Sequence, residues 1–373
     1  MNRCLCFNQA VILKSLFFSP NPPSSQFPLL GDRLGSGAHG SVTRCKVPGP
    51  GLGSRAGASG AGIYAVKRLP KGSTALGAVY AEVCAMQRLG LGPVPVPGPG
   101  SAGGPVVGVG PAEYAAWPGL GRAMLAPALV SYGVMGEEYW LVMHRGGCTL
   151  TTLRHDLQPH LASASASASD GPQNAAPSPW ALLLLELWLE CCHVLARVHA
   201  RGVGHFDVKA DNFLLDGALE RALRVCMDEG KAHSASAVGA DGSSSEAPVP
   251  TADASLWGIL ARLGAAHGRG EMAGGAVVLV DFGESVVGRE GDGGDGESGS
   301  DIVSTRVRGT LPIQAPEVLA ISSPDPSAHS APSASSAPLG SFHQAPGLKA
   351  DAWSLVLLGV EMLGGRYLYA GKG

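Results

Sequence analysis

The chain has 373 residues, a formal net charge of −3 at pH 7, and 54 glycines. A charge this close to neutral gives no reason to expect a nucleic acid or a membrane surface as a partner. The eight cysteines show no C-x-x-C spacing, which indicates neither a zinc site nor a disulfide framework, so a reducing compartment is expected.

The first segment, residues 1–29, is expected to be a disordered leader. Its apolar runs on either side of Lys14 are too broken for a secretory signal or a membrane span. We therefore expect no membrane span and a cytoplasmic protein, with an organellar transit peptide as the alternative.

Long stretches rich in Gly, Ala, Ser and Pro interrupt the rest of the chain. They bury too little apolar surface to offset the entropy of ordering, so they are predicted to be disordered insertions in one core rather than linkers between domains. These stretches are residues 48–62, 92–121, 161–179, 232–254, 288–301 and 322–347. Two short amphipathic helices, 219–225 and 255–267, are expected at the surface, with a partner site as the alternative. The acidic run 291–301 is interpreted as a solvated loop, with attraction of basic substrates as the alternative.

A glycine-rich segment opens the core, with Gly35, Gly37 and Gly40 spaced as G-x-G-x-x-G. Glycines let a β-hairpin approach phosphate groups without a Cβ clash, and a strand is expected after Gly40. A second strand is predicted around Lys67. A helical segment follows, in which Glu82 lies fifteen positions after Lys67.

Further along, residues 139–143 are short, apolar and aromatic, as expected of a buried strand. A long helix is predicted from Pro179 to about His199, because it has a wide apolar stripe and is followed by the glycine stop at Gly202. We interpret this helix as buried scaffold.

Two polar motifs carry the chemistry. The first is the string His205-Phe206-Asp207-Val208-Lys209-Ala210-Asp211-Asn212, and the second is Asp281-Phe282-Gly283 after an apolar strand. Phosphoryl transfer needs a carboxylate for the substrate hydroxyl, an ammonium for the phosphate, and an amide and a second carboxylate for Mg²⁺. Two later segments complete the set, Arg308–Glu317 and an apolar helix beginning near Asp351.

Taken in order, these motifs resemble the signature of the eukaryotic-type protein kinase family, serine/threonine type, with its G-x-G-x-x-G-x-V, V-A-I-K, H-R-D-x-K-x-x-N, D-F-G and G-T-x-x-Y-x-A-P-E elements. The resemblance runs from about Leu30 to the end of the chain. It implies an α+β, two-lobed fold. A small antiparallel β lobe would span about 30–143 and a mainly helical lobe about 148–373, without the last helices with which the family usually continues.

The resemblance also implies binding of ATP and Mg²⁺ and transfer of the γ-phosphate to a Ser or Thr hydroxyl of a protein substrate. The implied catalytic residues are Asp207, Lys209, Asn212 and Thr310, and the implied metal ligands are Asn212 and Asp281. The implied nucleotide-binding residues are Leu34, Gly35, Gly37, Gly40, Val42, Ala65, Lys67, Glu82, Met143, His144, Gly146 and Leu214. Among these, Lys67 would bridge the α- and β-phosphates and Glu82 would orient it. Met143 would be the gatekeeper, and the backbone of His144 and Gly146 would face adenine.

The chain departs from the family pattern at Phe206, where an arginine is usual, at Ile313, where a tyrosine is usual, and at Val356, where a glycine is usual. Without that arginine, ordering of the segment before Thr310 is not expected to depend on phosphate at Ser304 or Thr305. Two alternatives stay open: a pseudokinase-like ATP-binding or scaffold module, and an inactive fragment of a longer gene.

Overall fold

The computed structural model describes residues 29–37, 40–46, 63–72, 74–92, 125–166, 178–236, 256–269, 276–288, 302, 304, 308–322 and 347–364. The predictions about the leader, the acidic run 291–301, Thr305 and most of the low-complexity insertions lie outside these residues. Within them the fold is mixed helix and sheet, as the α+β expectation required, and its largest sheet is antiparallel with five strands.

The five-stranded sheet has the order β1-β2-β3-β5-β4, and every neighbouring pair is antiparallel. Its strands are β1 Leu29–Gly37, β2 Gly40–Lys46, β3 Ile63–Pro70, β4 Leu129–Met135 and β5 Glu138–His144. Strand β2 begins at Gly40 as expected. Aromatic and β-branched residues are typical of strands, and Tyr139, Trp140 and Val142 are all buried in β5. The central strand β3 pairs with β2 on one side and with β5 on the other. These two pairings hold the backbone at Lys67 in a rigid position.

Helix α1, Ala75–Arg88, packs against this sheet. Its apolar residues recur every three or four positions, so Val79, Val83 and Met86 lie on one face and are buried. Gly90 follows the helix with φ +74°, a conformation that costs glycine nothing and stops the helix. The same buried face carries Glu82, which is thereby held inside the protein.

The remaining elements are mainly helical. They are α2 Leu150–Ala166, α3 Pro179–His199, β6 Val203–Gly204, β7 Phe213–Leu215, α4 Gly217–Ser236, α5 Leu256–Gly268, β8 Val277–Leu279, β9 Val286–Val287, α6 Pro316–Ser322 and α7 Leu348–Gly364. Strand β6 pairs with β9, and β7 pairs with β8. Helix α3 has the predicted bounds and contacts α2, α5 and α7. It is buried scaffold, as predicted.

The helices extend further into the low-complexity stretches than composition predicted. Helix α2 continues to Ala166 inside the stretch 161–179, and α4 continues to Ser236 inside the stretch 232–254. Alanine, which is frequent in both extensions, has the highest helix propensity, so an existing helix continues through it.

Helix α5 is part of the core and does not merely decorate the surface, which corrects the prediction for residues 255–267. Ile259 and Leu263 are buried in the main apolar cluster of the protein. In addition, His267 contacts the carboxylate of Glu186 on α3, and its Nε2 lies 3.2 Å from Oε1 of the fully buried Glu190. The polar contact gives α5 a fixed register on α3, which apolar packing alone specifies poorly.

One face of α7 is apolar and exposed. Trp353, Val356, Val360 and Leu363 are between 37% and 59% exposed, and their spacing of three or four residues places them on one stripe. The opposite face is buried and includes Asp351 and Leu358. Among the helices that the structure describes, none is long and apolar enough to cross a membrane.

Candidate functional site

An ion-paired group links the sheet, helix α1 and the loop after β8. Nζ of Lys67 on β3 lies 2.6 Å from Oε2 of Glu82 and 2.6 Å from Oδ1 of Asp281. Lys67 and Glu82 are 7% and 1% exposed. A buried ammonium with two carboxylates at contact distance satisfies the requirement that buried charges be paired.

The pairing changes the pKa values of both partners. Burial by itself would lower the pKa of Lys67, but the charges of Glu82 and Asp281 outweigh it and raise that pKa above its ordinary value. For Asp281 the directions are reversed. Burial would raise its pKa, but the charge of Lys67, with smaller contributions from His205 and Lys209, lowers that pKa to about 2. Lys67 and Asp281 are therefore both charged at neutral pH.

The lowered pKa of Asp281 predicts a pH dependence of stability. Its contribution is fully present above its ordinary pKa of 3.8 and is lost as the pH falls toward about 2. Asp281→Asn cannot titrate, so its free energy of unfolding should fall less steeply between pH 4 and pH 2 than that of the wild type. Urea unfolding at half-unit pH steps measures this. Equal slopes for Asp281→Asn and the wild type would contradict the pairing.

A second polar group surrounds Asp207, in the loop after β6. Its Oδ2 accepts hydrogen bonds from Nζ of Lys209 at 2.8 Å and from Nδ2 of Asn212 at 3.0 Å. Its Oδ1 accepts one from Oγ1 of Thr310 at 2.7 Å, and Lys209 also donates to Thr310 at 2.9 Å. Burial raises the pKa of Asp207, but Lys209 and these hydrogen bonds reverse the effect and lower it. The carboxylate is therefore ionised at neutral pH.

Asp351 of α7 holds the backbone of this loop. Its Oδ2 accepts from the backbone N–H of His205 at 2.7 Å and its Oδ1 from that of Phe206 at 2.6 Å. Nε2 of His199, near the end of α3, lies 2.9 Å from the same carboxylate. Phe206 has φ +62°, a strained value for a residue with a side chain. The buried carboxylate fixes this conformation and so sets the direction of Asp207.

Contacts through the backbone connect the two polar groups. The backbone N–H of Val280 donates to the carbonyl of Asn212 at 2.9 Å. The ring of His205 lies 3.0 Å from the Val280 carbonyl through Nε2 and packs edge-on against Phe282. In the described part of the chain, the side chains of Asn212 and Asp281 make no hydrogen bond to each other. Their relative position is therefore set by the two loops, which these contacts join at one end of the β7–β8 pairing.

Most of the predicted nucleotide-binding residues line the sheet beside these groups. Ala65 pairs with Met143 across β3 and β5, and both are buried. A Cβ added at Gly146 would lie 2.6 Å from Cδ1 of Leu214, so these two residues are in close contact. Half-buried His144 lies at the end of β5, where burial lowers its pKa and keeps the ring neutral. Ala65 lies two positions before Lys67 on β3, so the two side chains are on the same face of the sheet.

The glycine-rich hairpin is tied to the site through strand pairing. Val42 pairs with Lys67, and Gly37 pairs with Gly40 where β1 meets β2. Gly40 has φ +150°, and a Cβ there would lie 1.9 Å from the carbonyl oxygen of Arg68, so only glycine fits. Leu34 and Gly35 lie exposed on β1, and their connection to the other predicted residues runs through the pairing of β1 with β2.

Arg308 and Gln314 were not singled out by sequence reasoning, yet they hold the segment that carries Thr310. Arg308 donates to the Glu284 carbonyl and to Oγ of Ser304, both at 2.8 Å. Gln314 donates to the carbonyls of Arg308 and Gly309. No sequence pattern predicts such contacts for a single arginine in a loop. The structure thus places a cation, Arg308, beside Ser304, although the arginine that the kinase family has beside the catalytic aspartate is replaced here by Phe206.

The donor set of the site suits a hard cation together with a phosphate group. Among the described residues, no group of three or more His, Cys, Asp or Glu side chains is placed to hold a metal ion. Mg²⁺ typically takes one or two carboxylates and completes its coordination with water and phosphate oxygens. The Asp281 carboxylate and the amide oxygen of Asn212, whose Nδ2 is engaged by Asp207, are oxygen ligands of this kind.

Comparison with family models and with curated proteins gave no match. The chemical interpretation of the site therefore depends on its residues and their geometry.

Proposed function

We propose that the chain is an ATP-dependent serine/threonine protein kinase with a two-lobed kinase fold, which binds MgATP and transfers the γ-phosphate to a hydroxyl of a protein substrate. The observation that supports this most strongly is the hydrogen-bonded group of Asp207, Lys209, Asn212 and Thr310. It supplies an ionised carboxylate and an ammonium within 3 Å of each other, which is the pairing that attack of a hydroxyl on a phosphate requires.

The hydrogen-bonding positions that these side chains do not use within the group support a role for each of them. Oδ1 of Asp207 holds one hydrogen bond, from Thr310, and so keeps an acceptor position for the substrate hydroxyl. Lys209 has three donors and uses two of them, on Asp207 and Thr310. Among the residues that the structure describes the third donor has no acceptor, so it can contact the transferred phosphate. Asp207 therefore orients the hydroxyl and takes its proton late, while Lys209 stabilises charge on the phosphate.

Lys67, in the other polar group of the site, also has a donor available for phosphate. Two of its donors are used by Glu82 and Asp281, and the third can contact the α- and β-phosphates. Glu82 keeps the ammonium directed toward the site. Bound Mg²⁺, held by Asp281 and Asn212, would neutralise negative charge on the phosphates. Ala65, Met143, Gly146 and Leu214 are all apolar, and a lining of such residues would suit the face of an adenine ring.

A second candidate function is nucleotide binding without transfer, as in a pseudokinase-like module. Phe206 favours it, because the side chain beside Asp207 is apolar and buried where the kinase family has an arginine. The two functions differ in one measurable respect. Both bind MgATP, but only the kinase transfers phosphate to a protein substrate.

MgATP binding is tested by thermal and urea unfolding of the full chain. A ligand at a hundred times its dissociation constant that binds only the folded state adds about 2.7 kcal/mol to the free energy of unfolding. Lys67→Ala should lose most of this increment, because it removes the ammonium that would contact the phosphates. Lys71→Ala, which removes an exposed lysine directly after β3, should keep it. A folded wild type that shows no increment would rule out the nucleotide site.

A further inference from the structure

Arg308 fastens the Asp281 loop to the segment that leads to Thr310. Its Nη1 donates to the backbone carbonyl of Glu284, which directly follows Gly283, and lies 3.6 Å from the Glu284 carboxylate. Its Nε donates to Oγ of Ser304, on the incoming part of the segment. One guanidinium therefore makes two directed hydrogen bonds to two separate stretches of chain, which a lysine cannot reproduce.

The backbone from Arg308 to Thr310 is fixed as well. The carbonyls of Arg308 and Gly309 both accept from Nε2 of Gln314, at 2.8 and 2.9 Å. Gly309 has φ +83°, and a Cβ there would lie 2.2 Å from the carbonyl oxygen of Phe206. The segment thus lies directly on the loop that carries Asp207. A movement of Arg308 would be passed to Thr310 over two residues and would change the hydrogen bond from Thr310 to Asp207.

An apolar contact supports the same segment. Phe206 packs with Ile302, Ala315, Val318 and Ala350 in a buried cluster, and Ile302 is 2% exposed. The segment is therefore held at Ile302 by burial of apolar surface and at Ser304 by Arg308. Ser304 itself is 1% exposed. A phosphate on this hydroxyl would add three acceptor oxygens and a charge at a place with no access to solvent.

We propose that Arg308 is a positioning residue for phosphoryl transfer. By tying the Glu284 carbonyl to Ser304 it aligns Thr310 with Asp207, and it does so without a phosphate group on the segment. The unmodified Ser304 hydroxyl serves as an acceptor for the guanidinium. The effect on transfer rests on the proposed kinase function, whereas the tie between the two loops can be measured without it.

The test compares Arg308→Lys and Arg308→Ala with the wild type, all treated with phosphatase and shown by mass spectrometry to carry no phosphate on Ser304. Arg308→Ala should lower kcat about a hundredfold, the effect expected when a reacting group is misplaced by about 1 Å. Arg308→Lys should lower it about tenfold, corresponding to one lost charge-assisted hydrogen bond. The KM for ATP should change by less than about twofold, because no nucleotide contact is removed. The control Arg221→Lys, at an exposed position on α4, should behave as the wild type.

Amide hydrogen exchange gives the readout that does not depend on activity. Peptides covering 284–288 and 308–314 should exchange faster in Arg308→Ala than in the wild type, while peptides from α3 should not change. If the wild type is active and Arg308→Ala retains its kcat within about threefold, the positioning role is overturned. A tenfold or larger loss of wild-type kcat on phosphatase treatment would also overturn it. A different result would separate the two claims. If the wild type neither binds MgATP nor transfers phosphate, the proposed kinase function is wrong. If amide exchange is nevertheless faster in Arg308→Ala, the contact of Arg308 with Glu284 and Ser304 is still supported.

Discussion

Asp207→Asn should lower kcat for phosphoryl transfer to a protein substrate by about a thousandfold, within the range expected for loss of a general base. The amide cannot take the hydroxyl proton. It also places an NH₂ group where Oδ2 now accepts from Lys209 and Asn212, or where Oδ1 accepts from Thr310. The measurement is transfer of labelled phosphate from ATP to a general protein substrate, followed by phosphoamino-acid analysis.

The same variant should still bind MgATP, because Asp207 contacts neither Lys67 nor Asp281 in the structure. Stabilisation by MgATP should therefore match the wild type, which separates loss of chemistry from loss of binding. Asp216→Asn, an exposed carboxylate before α4, is the matched control and should transfer phosphate at the wild-type rate. Unchanged turnover in Asp207→Asn, or phosphotyrosine as the main product, would contradict the assignment. A wild type that binds MgATP but transfers nothing would favour the binding module.

Asp351→Ala should destabilise the protein by about 3 to 5 kcal/mol, because it leaves two buried backbone donors unsatisfied at a cost of about 1 to 3 kcal/mol each and removes a contact with His199. The backbone N–H groups of His205 and Phe206 would both lose their acceptor inside the protein. Phe206 would then lose the hydrogen bond that holds its backbone at φ +62°. Turnover should fall together with stability, because the same loop directs Asp207.

The control for this effect is Asp216→Ala. Asp216 also accepts two backbone hydrogen bonds, from Ala218 and Leu219, but does so at an exposed position at the start of α4. Removal of such a cap costs about 1 kcal/mol because water replaces the lost acceptor. Urea unfolding of both variants, with Asp351→Asn as an intermediate that keeps one acceptor oxygen, measures the difference. Equal losses for Asp351→Ala and Asp216→Ala would show that Asp351 does not anchor the loop.

Much of the fold follows from local patterns in the sequence. The run Tyr139–Met143 and helix α3 could be predicted because hydrophobic periodicity and glycine stops act over a few residues. The resemblance of the motifs to the kinase family also indicated Lys67, Glu82, Asp207, Asn212 and Asp281 as candidate site residues. Helix α5 shows the limit of such reasoning. Its apolar face was visible, but whether that face meets solvent or the core depends on α3, which is distant in the sequence.

The sequence of this protein thus determined which residues carry charge, that β5 and α3 form, and which glycines permit close approach, because each of these properties depends on a residue and its near neighbours. Tertiary structure decided the contacts between distant segments. It brought Lys67 to Asp281 across 214 positions and Asp351 to His205 across 146. It also placed Arg308 between Glu284 and Ser304. Such pairings arise only when the chain closes long loops around a common core, and no local propensity specifies which distant donor meets which acceptor.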